Sequence, residues 1–523
     1  MAWLLIFLCA SLPKADFPDV ILRGATVYDG SGLPGVVRDV ALKGDRILAI
    51  APNIQSGPNT EVIDLTGMIL APGFIDLHTH SDEEILHPKN RNNLNYLTQG
   101  VTTIVTGNCG FGPVDVKSYY AKLDKNKPGS NVCHLMPHNA IKKQVMGNVN
   151  RPPTAAELRA MIDLMEQGMK AGAWGFSTGL FYTPGSYAQM EELVALAAVA
   201  GKHGGIYASH IRDEGEGLMA SIEEALAIGQ RAHLPVHISH LKSSGRAHWG
   251  NAGTLLSRLK LARQTQPVTA DQYPYTASST TLQATVIPPR FREGTPNEMV
   301  ARFNDPKVGP AMREAIKQRI KECDQGRDIR IARFAPKTSW QGKDLASIAR
   351  MERKESLEIV MEIESQGGAQ IVNFSMSEED MRLIAKEDFV ATASDGAAQL
   401  PDDTVPHPRN YGTFSRKIGH YAIEERMFTM EQAIRSATGL PADIIHLKDH
   451  GYLKPGYAAD LVAFDPEKYR DQATYDKPHQ YSTGVVYLFV NGVPAIEKGQ
   501  FTGKLAGRAL RMREYPQEPG ARR

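Results

Sequence analysis

The sequence has little of what marks a specialised protein. It carries only four cysteines, Cys9, Cys109, Cys133 and Cys323, too few and too scattered for a disulfide framework. It has no charge excess of either sign, since 59 basic residues face 58 acidic ones for a formal net charge of +1. Proteins devoted to nucleic acid or to anionic membranes carry a basic domain or stripe, so neither is expected as the main partner. The apolar run Trp3–Ala10 (WLLIFLCA) is far short of the ~20 residues that span a bilayer. It also lacks a basic stretch before it, so residues 1–15 read either as a curtailed export signal or as a disordered leader. The first reading implies a periplasmic or secreted protein and the second a cytoplasmic one. The 46 glycines and 32 prolines follow no period, which excludes collagen-like and low-complexity chains. An ordinary globular protein with ample chain for a large core is what these absences leave.

From Val20 the chain reads as short β-strands with turn punctuation (VILRGATVYDGSG, DVALKGDRILAIAP, VIDLTGMILAPG). The same texture returns at Leu461–Phe464 and in VVYLFVNGV, Val485–Val493. Residues 16–70 and 452–510 are therefore expected to form one small β domain closed by both ends of the chain. Between them, residues 71–451 alternate apolar runs (GVTTIVTG, AWGFSTG, GIYASH, VHISH) with amphipathic helical stretches such as Ala155–Ala171. Strand–helix units of ~30 residues over about 380 residues predict an α/β fold, a (β/α)8 barrel with its chemistry at the C-terminal strand ends. The polar, proline-bearing stretch 288–341 breaks that rhythm and is expected to be an insertion, either a lid or a solvated surface excursion.

Four strand ends carry groups that bind metals or move protons. In Gly73–His80 (GFIDLHTH), alternate side chains of an extended chain share a face, so Asp76, His78 and His80 point together. Two imidazoles placed so can grip one Zn²⁺. The runs YASH and HISH end in His210 and His240, 30 residues or one strand–helix unit apart, which puts both imidazoles at one mouth. His237 has the opposite parity to His240 and is expected to pack under a helix. Cys109 lies in TGNCG after an apolar strand, where a thiolate can serve as metal ligand or bridge, although a lone cysteine is more often a small core hydrophobe. Asp395 lies in TASDG, which reads either as a turn or as a carboxylate able to pass a proton from water to a leaving amine.

Together these residues resemble the amidohydrolase superfamily, and within it the N-acyl-D-amino-acid deacylase (D-aminoacylase) group. The likeness runs from about Val20 to about Gly507 through GFIDLHTHSD, GVTTIVTGNCGFGP, GFSTGLFYTPGSYA, YASHIRDEG, HISHLKSSG, DQYPYTASSTTL, SDGAAQLPDDTVPHPRNYGTF and LKPGYAADLVAFD. It implies a barrel of that type with a small β-sandwich domain from both termini, and zinc-dependent hydrolysis of the amide of N-acyl-D-amino acids. A tightly held zinc would use Cys109, His210 and His240, and a second, weaker position His78, His80 and Asp395, with Cys109 in the bridging place. Lys242, Tyr273, Ser279 and Arg409 would contact the substrate. Arg409 suits a free α-carboxylate, which wants a charged, bidentate partner. A D-configured dipeptidase and a cyclic-amide hydrolase of dihydroorotase or hydantoinase type remain as alternatives.

Overall fold

Short apolar runs without a polar alternate become strands buried on both faces, and here they are parallel. The computed structural model describes residues 17–512, so the run Trp3–Ala10 lies outside the described residues. The barrel strands are β1 (Phe74–Asp76), β2 (Val101–Thr106), β3 (Asn131–His134, resumed at Met136–Pro137), β4 (Gly175–Gly179), β5 (Ile206–His210), β6 (Val236–Ile238), β7 (Val268–Gln272) and β8 (Val390–Thr392). Each pairs in parallel with the next. Just beyond the strand ends β8 returns to β1. There the Asp395 N–H donates to the His78 carbonyl at 2.8 Å and the His80 N–H to the Gly396 carbonyl at 2.7 Å. The closing hydrogen bonds of the barrel therefore pass through three of the predicted site residues.

Helices cover the outside. Ala155–Lys170 starts on a capping box between Thr154 and Glu157 and buries Met161, Met165 and Met169 against the barrel. Met190–Lys202, Leu218–Ala232 and Ala252–Ala262 follow β4, β5 and β6 in the same way. The described segments before and after the barrel meet in one nine-stranded sheet, in which Ile69–Pro72 pairs antiparallel with Leu461–Phe464. Its core holds Leu22, Val40, Leu70, Leu461 and Phe489.

The break in the barrel rhythm is longer than 288–341. Strands Ser278–Thr281, Ile329–Arg333 and Gln370–Asn373 form an antiparallel sheet that carries five helices. They enclose a separate apolar cluster running from Leu282 to Ile371, with Trp340 stacked on Phe334 at 5.5 Å. The polar composition that marked the stretch belongs to the outer faces of these helices. The excursion therefore has a core of its own, and its first strand stands over the barrel mouth.

After β8 the helix Arg409–Ser415 continues through Arg416–Glu424 in wider i→i+5 turns. Lys417 anchors this segment. Its buried Nζ donates to the Ala385 carbonyl at 2.9 Å and lies 4.1 Å from the Phe428 ring centre, with no carboxylate partner among the described residues. Burial pushes its pKa down to about 7. Between pH 7 and about 10.4 the unfolded chain then binds the extra proton, so this lysine makes stability rise with pH across that window. Lys417→Met is expected to be more stable than the wild type at pH 7. That gap should shrink by about 2 kcal/mol on going to pH 9, as read by denaturant unfolding at both values. A gap independent of pH contradicts the assignment.

Candidate active site

The barrel mouth gathers side chains from five strand ends. His78 and His80 follow β1, Cys109 sits in the turn after β2, His210 ends β5, His240 lies two residues beyond β6 and Asp395 three beyond β8. Three of the six adopt left-handed backbone, Cys109 with φ 52°, His240 with φ 36° and Asp395 with φ 51°. Such conformations cost non-glycine residues on the order of 1–3 kcal/mol each and cluster where geometry serves function. Here each turns its side chain inward from a strand that has just ended.

Cys109 is the hub. Its Sγ lies 3.2 Å from His78 Nε2, 3.6 Å from His210 Nδ1 and 3.8 Å from His240 Nε2. Two ligands of one tetrahedral Zn²⁺, one sulfur and one nitrogen, stand about 3.6 Å apart. His240 Nε2 and His210 Nδ1 face each other at 2.7 Å. His80 Nε2 and His78 Nε2 lie 3.0 and 3.5 Å from Asp395 Oδ1, which makes a second group around the same centre. Buried His210 Nε2 has no hydrogen-bond partner among the described residues. Burial, with His240 beside it, holds His210 well below its ordinary pKa, and burial with the nearby carboxylates pushes the Cys109 thiol up. Imidazoles around one buried sulfur form a donor set that fits a borderline cation.

Carboxylates behind the cluster set its tautomers. Asp271 Oδ2 lies 3.3 Å from His78 Nδ1 and 2.8 Å from His237 Nε2, and Asp271 Oδ1 accepts the His240 N–H at 2.7 Å. A proton on His78 Nδ1 leaves the Nε2 lone pair facing Cys109. Glu214 Oε1 is 3.0 Å from His240 Nδ1 and 2.6 Å from Lys242 Nζ, which itself lies 2.7 Å from His240 Nδ1. Only the Nδ1–H tautomer, donating to Glu214, leaves His240 Nε2 free toward the cluster. Asp76 does not join the ligands: its Oδ1 accepts the N–H groups of His78 and Ser394 and ties β1 to β8, with burial raising its pKa to about 7.

His237 does not pack under a helix. It lies inside the barrel on Asp271, with Nδ1 2.9 Å from Thr269 Oγ1. The parity argument fails because β6 ends at Ile238 and the chain turns at His240. Sequence reasoning also passed over Asp271 and Glu214, although both stood in quoted motifs. Strand period alone puts Asp271 and Tyr273 on one face, so Asp271 was within reach of that argument.

Two clefts of about 640 and 650 Å³ meet at His80, Cys109 and Asp395, with Tyr182, Ser279 and Arg292 in their shared wall. Lys242 and Tyr273 line the first cleft and Arg409 the second. Arg409 is 4% exposed, and its guanidinium lies 4.8 Å from the Tyr273 ring centre. Its Nη1 stands 2.8 Å from Asp395 Oδ2 but out of hydrogen-bond alignment, and Nε has no partner among the described residues, so donors remain for a ligand. Ser279 contributes its carbonyl, which accepts from Arg409 Nη2 at 3.4 Å. Lys242 is engaged by Glu214, to which its Nζ donates at 2.6 Å. Burial opposes ionisation of Asp395, but Arg409, His78 and His80 outweigh it and hold the carboxyl well below the usual range. A ligand cluster, an ionised carboxylate and a cationic recess thus share one floor.

Asp271→Asn is expected to lower Zn²⁺ affinity by about 10- to 100-fold, measured by competition with a chromophoric chelator. Unchanged affinity would show that Asp271 does not set the ligand geometry.

Residues 61–496 match the Amidohydrolase family (Amidohydro_3). A D-aminoacylase of Alcaligenes xylosoxydans xylosoxydans is 35% identical over 94% of this chain and 97% of its own. A solved D-aminoacylase with a binuclear metal centre, described by one-metal activation and second-metal attenuation, superposes with a TM-score of 0.81. It is 34% identical over 95% of this chain and 100% of its own. The N-acyl-D-glutamate deacylase of Bordetella bronchiseptica, complexed with zinc and a phosphonate mimic of the tetrahedral intermediate, gives a TM-score of 0.82. It is 32% identical over 95% of this chain and 100% of its own. By both measures the chain belongs to the amidohydrolase family, in its D-aminoacylase branch.

Proposed function

We propose that the protein hydrolyses the amide bond of N-acyl-D-amino acids, releasing a D-amino acid and a carboxylic acid. The observation that carries this reading is the convergence of Cys109, His78, His210 and His240 on one buried centre, beside an ionised Asp395 and an Arg409 with free donors. Zinc would be the cofactor, held by Cys109, His210 and His240, with His78, His80 and Asp395 as candidates for a second, weaker position. When bound, it supplies a Lewis acid for the scissile carbonyl and acidifies a water.

The chain's own groups do the rest. Asp395 Oδ1 faces the cluster, where it takes the proton of the attacking water and hands it to the departing amine. Its Oδ2 faces Arg409, which keeps the carboxylate ionised and ready. Tyr273 stands between two cations, Arg409 at 4.8 Å and Lys242 at 5.8 Å from its ring centre, and these three with Ser279 enclose the α-carboxylate. With carboxylate and scissile amide both fixed, the side chain has one face left, and chirality is read there. Cys109 would take the bridging place that a lysine would fill in a cyclic-amide hydrolase, while Lys242, the lysine lining the first cleft, is bound to Glu214 on the far side of His240.

A panel of N-acetyl-D- and N-acetyl-L-amino acids assayed for amine release is expected to show turnover of the D-isomers; release from L-isomers alone overturns the reading. Asp395→Asn is expected to lower kcat on the best D-substrate at least about a hundredfold, and near-normal turnover removes the proton-transfer role from Asp395.

A further inference from the structure

His407 precedes Pro408 and Arg409, lines neither cleft and takes no part in the chemistry above. It is 1% exposed, and both of its ring nitrogens are committed. Nδ1 accepts the backbone N–H of Arg409 at 3.0 Å, so this nitrogen carries no proton. Nε2 carries it instead and donates to the Ala277 carbonyl at 2.9 Å. Arg409 opens the helix Arg409–Ser415, and the first N–H groups of a helix have no helical carbonyl to meet. His407 satisfies the first of them from outside the helix.

The second bond reaches the root of the excursion. Ala277 directly precedes the strand Ser278–Thr281, and Ser279 within that strand accepts from Arg409 Nη2. Three rings stand edge-on around the imidazole, Tyr273 at 5.9 Å, Tyr275 at 5.1 Å and Tyr475 at 5.2 Å. Tyr273 is the ring over which the Arg409 guanidinium lies. His407 therefore touches the backbone of Arg409, the aromatic face under its head and the strand that receives its Nη2.

We propose that His407 is a positioning residue for substrate recognition: it locks Arg409, Tyr273 and the Ser279 strand into one rigid recess for the α-carboxylate. The inference rests on the deacylase reading of Arg409. It assigns to the imidazole a task in holding substrate and none in bond breaking, so its loss falls on KM when the substrate carries a carboxylate.

The test compares wild type, His407→Asn and His407→Gln on an N-acetyl-D-amino acid and on the carboxamide of the same compound, with kcat and KM determined separately. Asparagine places Oδ1 where Nδ1 was and keeps an acceptor for the Arg409 N–H. Glutamine reaches the Ala277 carbonyl but leaves that N–H without an acceptor. On the carboxylate, KM of His407→Gln is expected to rise at least about tenfold with kcat within about threefold, while His407→Asn stays within about threefold of wild type. On the carboxamide neither variant is expected to move KM by more than about twofold. His407→Ala replaces the glutamine variant if that one does not fold. Asparagine and glutamine variants that behave alike overturn the proposal, as does a loss in kcat common to both substrates or an asparagine variant that unfolds. A wild type that turns over both compounds with equal KM removes the carboxylate role from Arg409, and that of His407 with it. A wild type inactive on both overturns the deacylase reading itself.

Discussion

A sulfur atom surrounded by imidazoles in a buried cup is the constraint around which this molecule is built. Cys109 Sγ has a ring nitrogen of His78, His210 and His240 within 3.8 Å, supplied by four different strand ends. One thiol sulfur and three imidazole nitrogens at such distances are the donor set that a Zn²⁺ would take. The fold accepts unfavourable backbone at Cys109, His240 and Asp395 to bring them there, and the closing bonds of the barrel run through His78, His80 and Asp395. Closure and site assembly are the same event.

Around that cup the carboxylates divide the work. Asp271 and Glu214 stand behind His78 and His240 and fix which ring nitrogen is free, Asp76 ties the first strand to the last, and Asp395 faces the open side against Arg409. All four are buried or nearly so; opposite charge and hydrogen bonds keep Asp271, Glu214 and Asp395 ionised, whereas burial raises the pKa of Asp76 to about 7. The excursion adds the remaining wall. Its own core lets it stand as a separately packed block over the mouth, and Ser279 and the Arg409 recess join it to the barrel.

Much of this was legible in the sequence, for physical reasons that also mark where legibility stopped. Barrel strands are short and buried on both faces, so they appear as apolar runs, and the groups at their C-terminal ends follow directly, which is how His78, His80, Cys109, His210, His240 and Asp395 came into view. Parity failed at His237 because it assumes that the strand continues, while β6 ends before His240. The excursion outgrew 288–341 because its core strands are short and its helices turn polar faces outward, which masks a buried cluster in local composition. Strand period could place Asp271 on the site face, but what Asp271 and Glu214 orient depends on contacts across 31 and 26 residues of sequence, to His240 and from it. The engagement of Lys242 by Glu214 was hidden for the same reason.

X-ray absorption at the zinc edge of the zinc-loaded protein addresses the central reading most directly, because sulfur and nitrogen scatter distinguishably. One sulfur ligand is predicted in the wild type and none in Cys109→Ser. A shell of nitrogen and oxygen alone in the wild type would contradict the account, since it would leave Cys109 an ordinary buried thiol.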